Sequence, residues 1–288
     1  MDFKNQIKTI LLLGGLTGLF LLIGALLGGK SGLFIGLIFA GGMNFVTYWW
    51  SDKIVLWMYK AKEADKKKHV KLYTIIKEIA VKAHLPMPKV YIVDTPQSNA
   101  FATGRNPKHA AVAVTTGIMQ LLEEKELRAV LAHELGHVKN RDILISTVAA
   151  TIAGVISYVA MMARWAAIFG GMKGDNENND SSNILELLVL AIIAPLMAMI
   201  IQLAITRSRE YLADETGAHL SKDPLALASA LQKIEKSVHD HPFARMGKTE
   251  ATAHLFISNP LKASAFLELF STHPSTENRC KRLKEMKV

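Results

Sequence analysis

The chain has 288 residues, half of them apolar, and its 34 Lys and Arg against 25 Asp and Glu give a net charge of +9. Basic residues combined with long uncharged runs suit a membrane protein with a charged aqueous part and argue against a nucleic-acid binder. The single cysteine, Cys280, excludes an intrachain disulfide and any zinc site built on cysteine pairs, and it reads as a passive residue of a C-terminal helix.

The first two apolar runs, Ile10 to Leu27 and Leu33 to Trp50, are each eighteen residues without a charge. Each is close to the ~20 residues that cross a bilayer. Gly28-Gly29-Lys30-Ser31-Gly32 between them predicts a tight turn, so the pair reads as a hairpin over residues 1–51, with Tyr48, Trp49, Trp50 and Trp57 as an interfacial aromatic belt at its exit. A cleaved signal peptide fits less well, because a second apolar run follows at once and no small-residue cleavage site intervenes. Ile143 to Ala163 and Leu187 to Ile205 form a second pair, joined by the turn-rich acidic loop Gly174 to Ser182 and kinked at Pro195, and they read as a second hairpin over 143–205. Asp52 to Lys89 carries ten lysines and four acids, Lys4 and Lys8 precede the first run, and Arg207 and Arg209 follow the fourth. By the positive-inside rule both termini and the aqueous domain face the cytoplasm.

The aqueous domain comprises residues 52–142 and 206–288. Val70 to His84 has helical periodicity and stops before Pro86. Lys89 to Asp94 and Ala110 to Thr115 read as short strands, with Asn99 to Thr103 between them. Lys125 to Asn140 predicts an amphipathic helix, and Asp223-Pro224 opens another that runs to about Val238. His239 to Glu250 reads as a polar loop, and Phe266 to Lys287 as helix broken near His273-Pro274. The fold class is therefore mainly α: four transmembrane helices plus a cytoplasmic α+β domain with a small sheet.

The chemistry lies in His133-Glu134-Leu135-Gly136-His137. Two imidazoles four positions apart share one helical face, about 6 Å apart along the axis, and can share one metal ion. The intervening Glu134 is placed to act on a water at that metal, the H-E-x-x-H arrangement of zinc peptidases. A catalytic zinc takes three protein ligands and keeps a fourth position open. Glu210 is the best candidate for the third, with Asp214, four residues on along the same face, able to stand behind the site and orient a histidine; the alternative is an exposed Glu/Asp pair flanked by arginines. If the helices run on into the apolar segments, Glu210 and His137 lie about 8 and 9 Å beyond the fourth and third runs. That places one zinc per chain just above the bilayer surface. Asp142, five residues beyond His137, either supports the site or punctuates the helix.

His-Glu-Leu-Gly-His, the later Arg-x-x-Glu-Tyr-x-Ala-Asp from Arg207 and the two apolar hairpins together resemble the HtpX family over essentially the whole chain. These are integral-membrane zinc endopeptidases of bacterial heat-shock quality control, related to the CAAX prenyl proteases. The resemblance implies a gluzincin-like domain with zinc on His133, His137 and Glu210, and Glu134 as general base and then acid. It implies that Asn99, Ala100, Phe101 and Ala102 form a substrate-rim strand pairing with extended peptide. His273, at His-Pro, and Arg279 resemble a C-terminal element in which the histidine stabilises the oxyanion and the arginine meets substrate. The implied substrates are misfolded membrane proteins or unfolded polypeptides, cut without ATP at the cytoplasmic side of the bacterial inner membrane, and no phosphate-binding loop occurs in the sequence.

Three other functions fit part of the pattern. A CAAX-type protease is expected to have more spans. A metal or ion transporter would need paired charges within the spans, where Asn44 is the main polar interruption. A non-catalytic adaptor with structural zinc would prefer a closed, four-ligand site.

Overall fold

The computed structural model describes residues 3–142, 207, 209–240 and 274–288. The third and fourth apolar runs, the acidic loop between them, the expected polar loop beyond Asp240 and His273 lie outside the described residues.

Residues Phe3–Met58 are helical throughout (α1). A straight helix of that length would place Thr17 and Asn44 about 40 Å apart. Instead the Asn44 side-chain amide donates to Thr17 Oγ1 at 2.9 Å. Gly29 has φ +53°, a conformation glycine adopts without steric cost, and the chain reverses there. Gly36 lies so close to the opposite arm that a Cβ on it would stand 2.5 Å from the Phe20 carbonyl oxygen. The two arms of α1 therefore lie side by side, with the reversal inside the helical run. Gly29–Trp50 is long and apolar enough to cross a membrane.

A short strand, β1 (Lys62–Glu63), leads to α2 (Val70–Lys82), which buries Leu72, Ile75, Ile76, Ile79 and Ala80 as one stripe. His84 takes a left-handed φ of 56° just beyond α2 and turns the chain into β2 (Lys89–Val93). Then come β3 (Ala100–Thr103), a 3₁₀ turn at Pro107–His109 and β4 (Ala111–Thr115). The sheet order is β1-β2-β4-β3, with β2 and β4 parallel and both outer pairs antiparallel. β4 is buried along its whole length, as its Ala-Val-Ala-Val run requires of a central strand.

α3 (Thr116–Leu121) follows, capped by the Thr115 side chain, and then α4 (Glu124–Asn140). Glu123 and Glu126 close a reciprocal capping box at the start of α4, the Glu126 carboxylate accepting from the Glu123 N–H at 3.0 Å. Helix α5 spans 209–221, α6 is Pro224–Asp240 and α7 is Thr276–Glu285. α4 packs against α2, β3 and α6, and α7 packs on α6. The main core joins Ile76, Val112, Ile118, Leu131, Leu135, Leu227, Leu231 and Leu283. Cys280 is buried there, its thiol donating to the Ala228 carbonyl at 3.4 Å.

One expectation is corrected. α4 does not run on towards the third apolar segment: Arg141 adopts φ 58°, ψ 37°, and its N–H caps the carbonyls of His137 and Val138. The chain breaks direction before Asp142, so the height of His137 over a bilayer does not follow from helical rise. No glycine marks that end, which is why the sequence pattern did not announce it.

Candidate active site

α4 is buried on nearly every side, so its two central polar residues are fixed by packing. His133 and Glu134 are both buried, while His137 remains 16% exposed at its side chain. The four-residue spacing stacks the two imidazoles edge to face, with ring centroids 4.8 Å apart. α5 comes very close to α4 at two glycines. A Cβ on Gly217 would stand 2.8 Å from the backbone of His133, and one on Gly136 would stand 3.3 Å from the Ala213 carbonyl oxygen. That approach brings Glu210 to the histidines.

Glu210 lies between the rings, its two oxygens 3.6 Å from His133 Nε2 and 3.4 Å from His137 Nε2. One atom from each of His133, His137 and Glu210 falls within 4.8 Å of the others. Behind each ring stands a carboxylate. Asp214 is 3.0 Å from His133 Nδ1, and Asp142 is 3.5 Å from His137 Nδ1. A carboxylate placed beside each Nδ1 favours a proton on that nitrogen and leaves Nε2, which both rings point at Glu210, as the atom that can ligate a metal.

Each of those carboxylates is in turn held by an arginine. Arg279, carried in by α7 and 1% exposed, donates Nε–H and Nη2–H to the two oxygens of Asp214 at 2.8 and 2.7 Å. Its Nη1 lies 3.2 Å from Glu210. Arg209 donates Nη1–H to the Asp142 backbone carbonyl at 3.0 Å and Nη2–H to Oδ1 at 3.3 Å. Arg279, implied by the resemblance to meet substrate, is in this structure a partner of the ligand cluster. Arg209 is a site residue that sequence reasoning missed. Its only signals were its place beside Glu210 and the acid just beyond the H-E-x-x-H helix.

The charges test the fit of a metal. Glu134, Asp142, Glu210 and Asp214 face Arg209 and Arg279, all six buried, leaving a net charge of −2 with neutral imidazoles. Buried charge is costly unless compensated, and a divalent cation restores neutrality. The same excess shows in the titrations. Burial alone would lower the His137 pKa, but the carboxylates of Asp142 and Glu210 push it up to about 10. Burial also acts to raise Asp214, yet Arg279 and His133 hold its carboxyl below the usual range. Two imidazoles and a carboxylate form the donor set expected of catalytic zinc.

Glu134 points to the opposite wall. Burial raises its pKa, with His133 and His137 opposing. Its Oε2 accepts the Ala102 N–H of β3 at 3.0 Å. The strand register explains the contact. Thr115 N–H donates to the Asn99 carbonyl, so in alternation Asn99 and Phe101 turn their backbone groups to β4, while Ala100 and Ala102 turn theirs to the open edge. Phe101 packs its ring against Tyr59, centroids 5.0 Å apart, in a second small core. Of the four residues expected at the substrate rim, Ala100 and Ala102 face the site.

Comparison with known proteins followed the same lines. Residues 66–287 match the family described as Peptidase family M48. The chain is 53% identical over 283 residues to the "Protease HtpX homolog" of Persephonella marina, covering 98% of this chain and 97% of that protein. It is 52% identical over 280 residues to the "Protease HtpX homolog" of Desulforapulum autotrophicum, covering 97% and 89%. Among solved structures, the crystal structure of S. mikatae Ste24p is similar in fold, with a TM-score of 0.56 at 18% identity. That match covers 97% of this chain but 65% of the longer neighbour.

Proposed function

The chain belongs to peptidase family M48, and from that premise we propose that it is a membrane-embedded zinc endopeptidase that cuts misfolded or unfolded polypeptides at the cytoplasmic face of a bacterial inner membrane without ATP. It is a metalloprotease by family, and near-full-length relatives carrying the HtpX protease name favour that reading over a CAAX-type protease, a transporter or an adaptor. The single observation that carries the chemistry is the convergence of His133, His137 and Glu210 within 4.8 Å, among buried carboxylates that outnumber the buried guanidiniums.

In this reading His133, His137 and Glu210 hold the ion, one per chain. Bound there, zinc supplies Lewis acidity towards a water and the scissile carbonyl, lowering the water's pKa towards about 7. Everything else is done by the chain. Glu134, its carboxylate fixed by the Ala102 N–H, takes the proton from the attacking water and returns it to the leaving amine. A pKa raised by burial suits both halves of that task, since the group must accept a proton readily and give it up again. Asp214 and Asp142 keep the imidazoles in one orientation and one tautomer. The outward N–H and carbonyl of Ala100 and the carbonyl of Ala102, whose N–H is engaged by Glu134, offer an extended peptide a strand edge beside the site, which favours unfolded segments over folded ones. His273, outside the described residues, is proposed as the donor to the oxyanion.

Membrane embedding is supported by the outward-facing apolar surface of Gly29–Trp50 and by the uncharged runs on either side of the site residues. A multi-pass arrangement with both termini in the cytoplasm is supported by the lysines of Asp52 to Lys89. The test is degradation of an unfolded polypeptide by purified wild type and Glu134→Gln, with and without chelator. Loss of cleavage in the variant and under chelation is expected, and equal proteolysis by the variant contradicts the proposal.

A further inference from the structure

The two ligand histidines are supported in the same way from different parts of the chain. His133 is backed by Asp214 and then Arg279, both in the aqueous domain. His137 is backed by Asp142 and then Arg209, which stand at the two ends of the second apolar segment. The contact between them closes a loop of 67 residues.

We propose that Arg209 is a positioning residue for His137, acting through Asp142, so that the root of the second apolar segment sets the geometry of one half of the metal site. Three observations carry this. First, Arg209 grips both the backbone carbonyl and the side chain of Asp142, at 3.0 and 3.3 Å, and so fixes where Asp142 sits as well as how its carboxylate turns. Second, that grip falls just after the left-handed turn at Arg141, where the chain has left α4 and Asp142 is no longer held by that helix. Third, Arg209 and Asp142 are both buried, so the pair is little screened by water and its loss leaves a buried carboxylate beside His137 uncompensated.

Arg209 also adjoins Glu210 in α5. A shift of Arg209 would therefore move one ligand directly and the other through Asp142. The two ends of the second apolar segment would then act on the site together. A lysine at position 209 keeps the charge but lacks the planar fork whose two nitrogens reach the carbonyl and the carboxylate in one fixed geometry.

The inference rests on the metal reading above, and the experiment separates the two. Zinc affinity is measured by competition with a chromogenic chelator on full-length wild type, Arg209→Gln, Arg209→Lys, Asp142→Asn and Arg209→Gln/Asp142→Asn, together with the visible spectrum of each after cobalt substitution. Wild type that binds no zinc overturns the metal reading itself. With zinc bound by wild type, Arg209→Gln and Asp142→Asn are each expected to weaken affinity roughly 10–100-fold and to change the cobalt spectrum, with Arg209→Lys between them and wild type. The double variant should be no weaker than the worse single one, because both changes break the same connection. Should Arg209→Gln fail to fold, Arg209→Lys and Asp142→Asn decide. Folded variants that bind zinc with wild-type affinity and an unchanged cobalt spectrum overturn the proposal. So does a double variant whose losses simply multiply.

Discussion

α1 and α4 treat their surroundings in opposite ways. On the second arm of α1, Phe34 is 65% exposed, and Ile35, Leu37, Ile38 and Phe39 are exposed with it. On α4 and the elements around it, five carboxylates, two guanidiniums and a histidine ligand are buried. One region turns its apolar side chains outward and the other turns its charges inward. Contiguous apolar surface of that kind is a liability in water and neutral in lipid, while buried charge is tolerable only where each group faces an opposite one or a cation. The sequence composition mixes the two patterns. The fold separates them, and the proposal of lipid around one region and a metal in the other rests on that separation.

Breaking the charge balance is expected to have the largest effect. Arg279→Ala leaves Asp214 and Glu210 buried without their shared guanidinium, and the cost is expected to be roughly 3–5 kcal/mol of unfolding free energy. Denaturant unfolding in mild detergent measures it, and a loss below about 1 kcal/mol would show that the cluster is not electrostatically strained.

Inverting the other region comes next. Phe34→Asp puts a charge on the outward face of α1, and insertion is expected to become less favourable by about 2.5–3.5 kcal/mol. Resistance to alkaline extraction from membranes should fall accordingly. If extraction is unchanged, this arm of α1 does not lie in hydrocarbon.

Gly217→Ala tests the close approach that joins the two site helices. Its Cβ would meet the His133 backbone at 2.8 Å, and the backbone shift is expected to cost about 1–3 kcal/mol. Gly136→Ala, with its nearest neighbour at 3.3 Å, should cost less. Thermal unfolding of both variants checks the order, and the reverse order contradicts the packing described.

The smallest expected effect is a pH dependence. The Asp214 carboxyl is held low by Arg279 and His133, so its contribution is fully present above the unfolded carboxylate pKa of about 4 and is lost as pH falls through its lower folded value. The stability gap between wild type and Asp214→Asn should therefore narrow below about pH 4 and stay constant above about pH 5. A gap independent of pH across that range would remove Asp214 from the charge balance.

What could be read in the sequence was what is local. His133, Glu134 and His137 announce themselves because helical spacing alone puts both rings on one side. Glu210 and Asp214 follow by the same four-residue rule, and Gly28-Gly29 marks the α1 reversal. Longer-range features were not legible. Arg209 reads as one more basic residue beside an apolar run, and only its contact 67 positions away gives it a role. Arg279 stands out only through the family resemblance, as an arginine that meets substrate, and its contact with Asp214 appears only once α7 packs in place. β1 is two charged residues with no apolar alternation, so nothing in its pattern marks a strand. The end of α4 carries Arg141 where a helix stop usually shows glycine.

The most direct test of the account is the metal content of wild type, Glu134→Gln and Glu210→Gln, purified side by side and measured by elemental analysis. One zinc per chain is expected in wild type and in Glu134→Gln, because Glu134 faces β3 and the attacking water, not the ligand cluster. Far less is expected in Glu210→Gln, which removes the carboxylate between the two imidazoles. Loss of zinc from Glu134→Gln, or wild-type zinc in Glu210→Gln, would contradict the assignment of ligands and base.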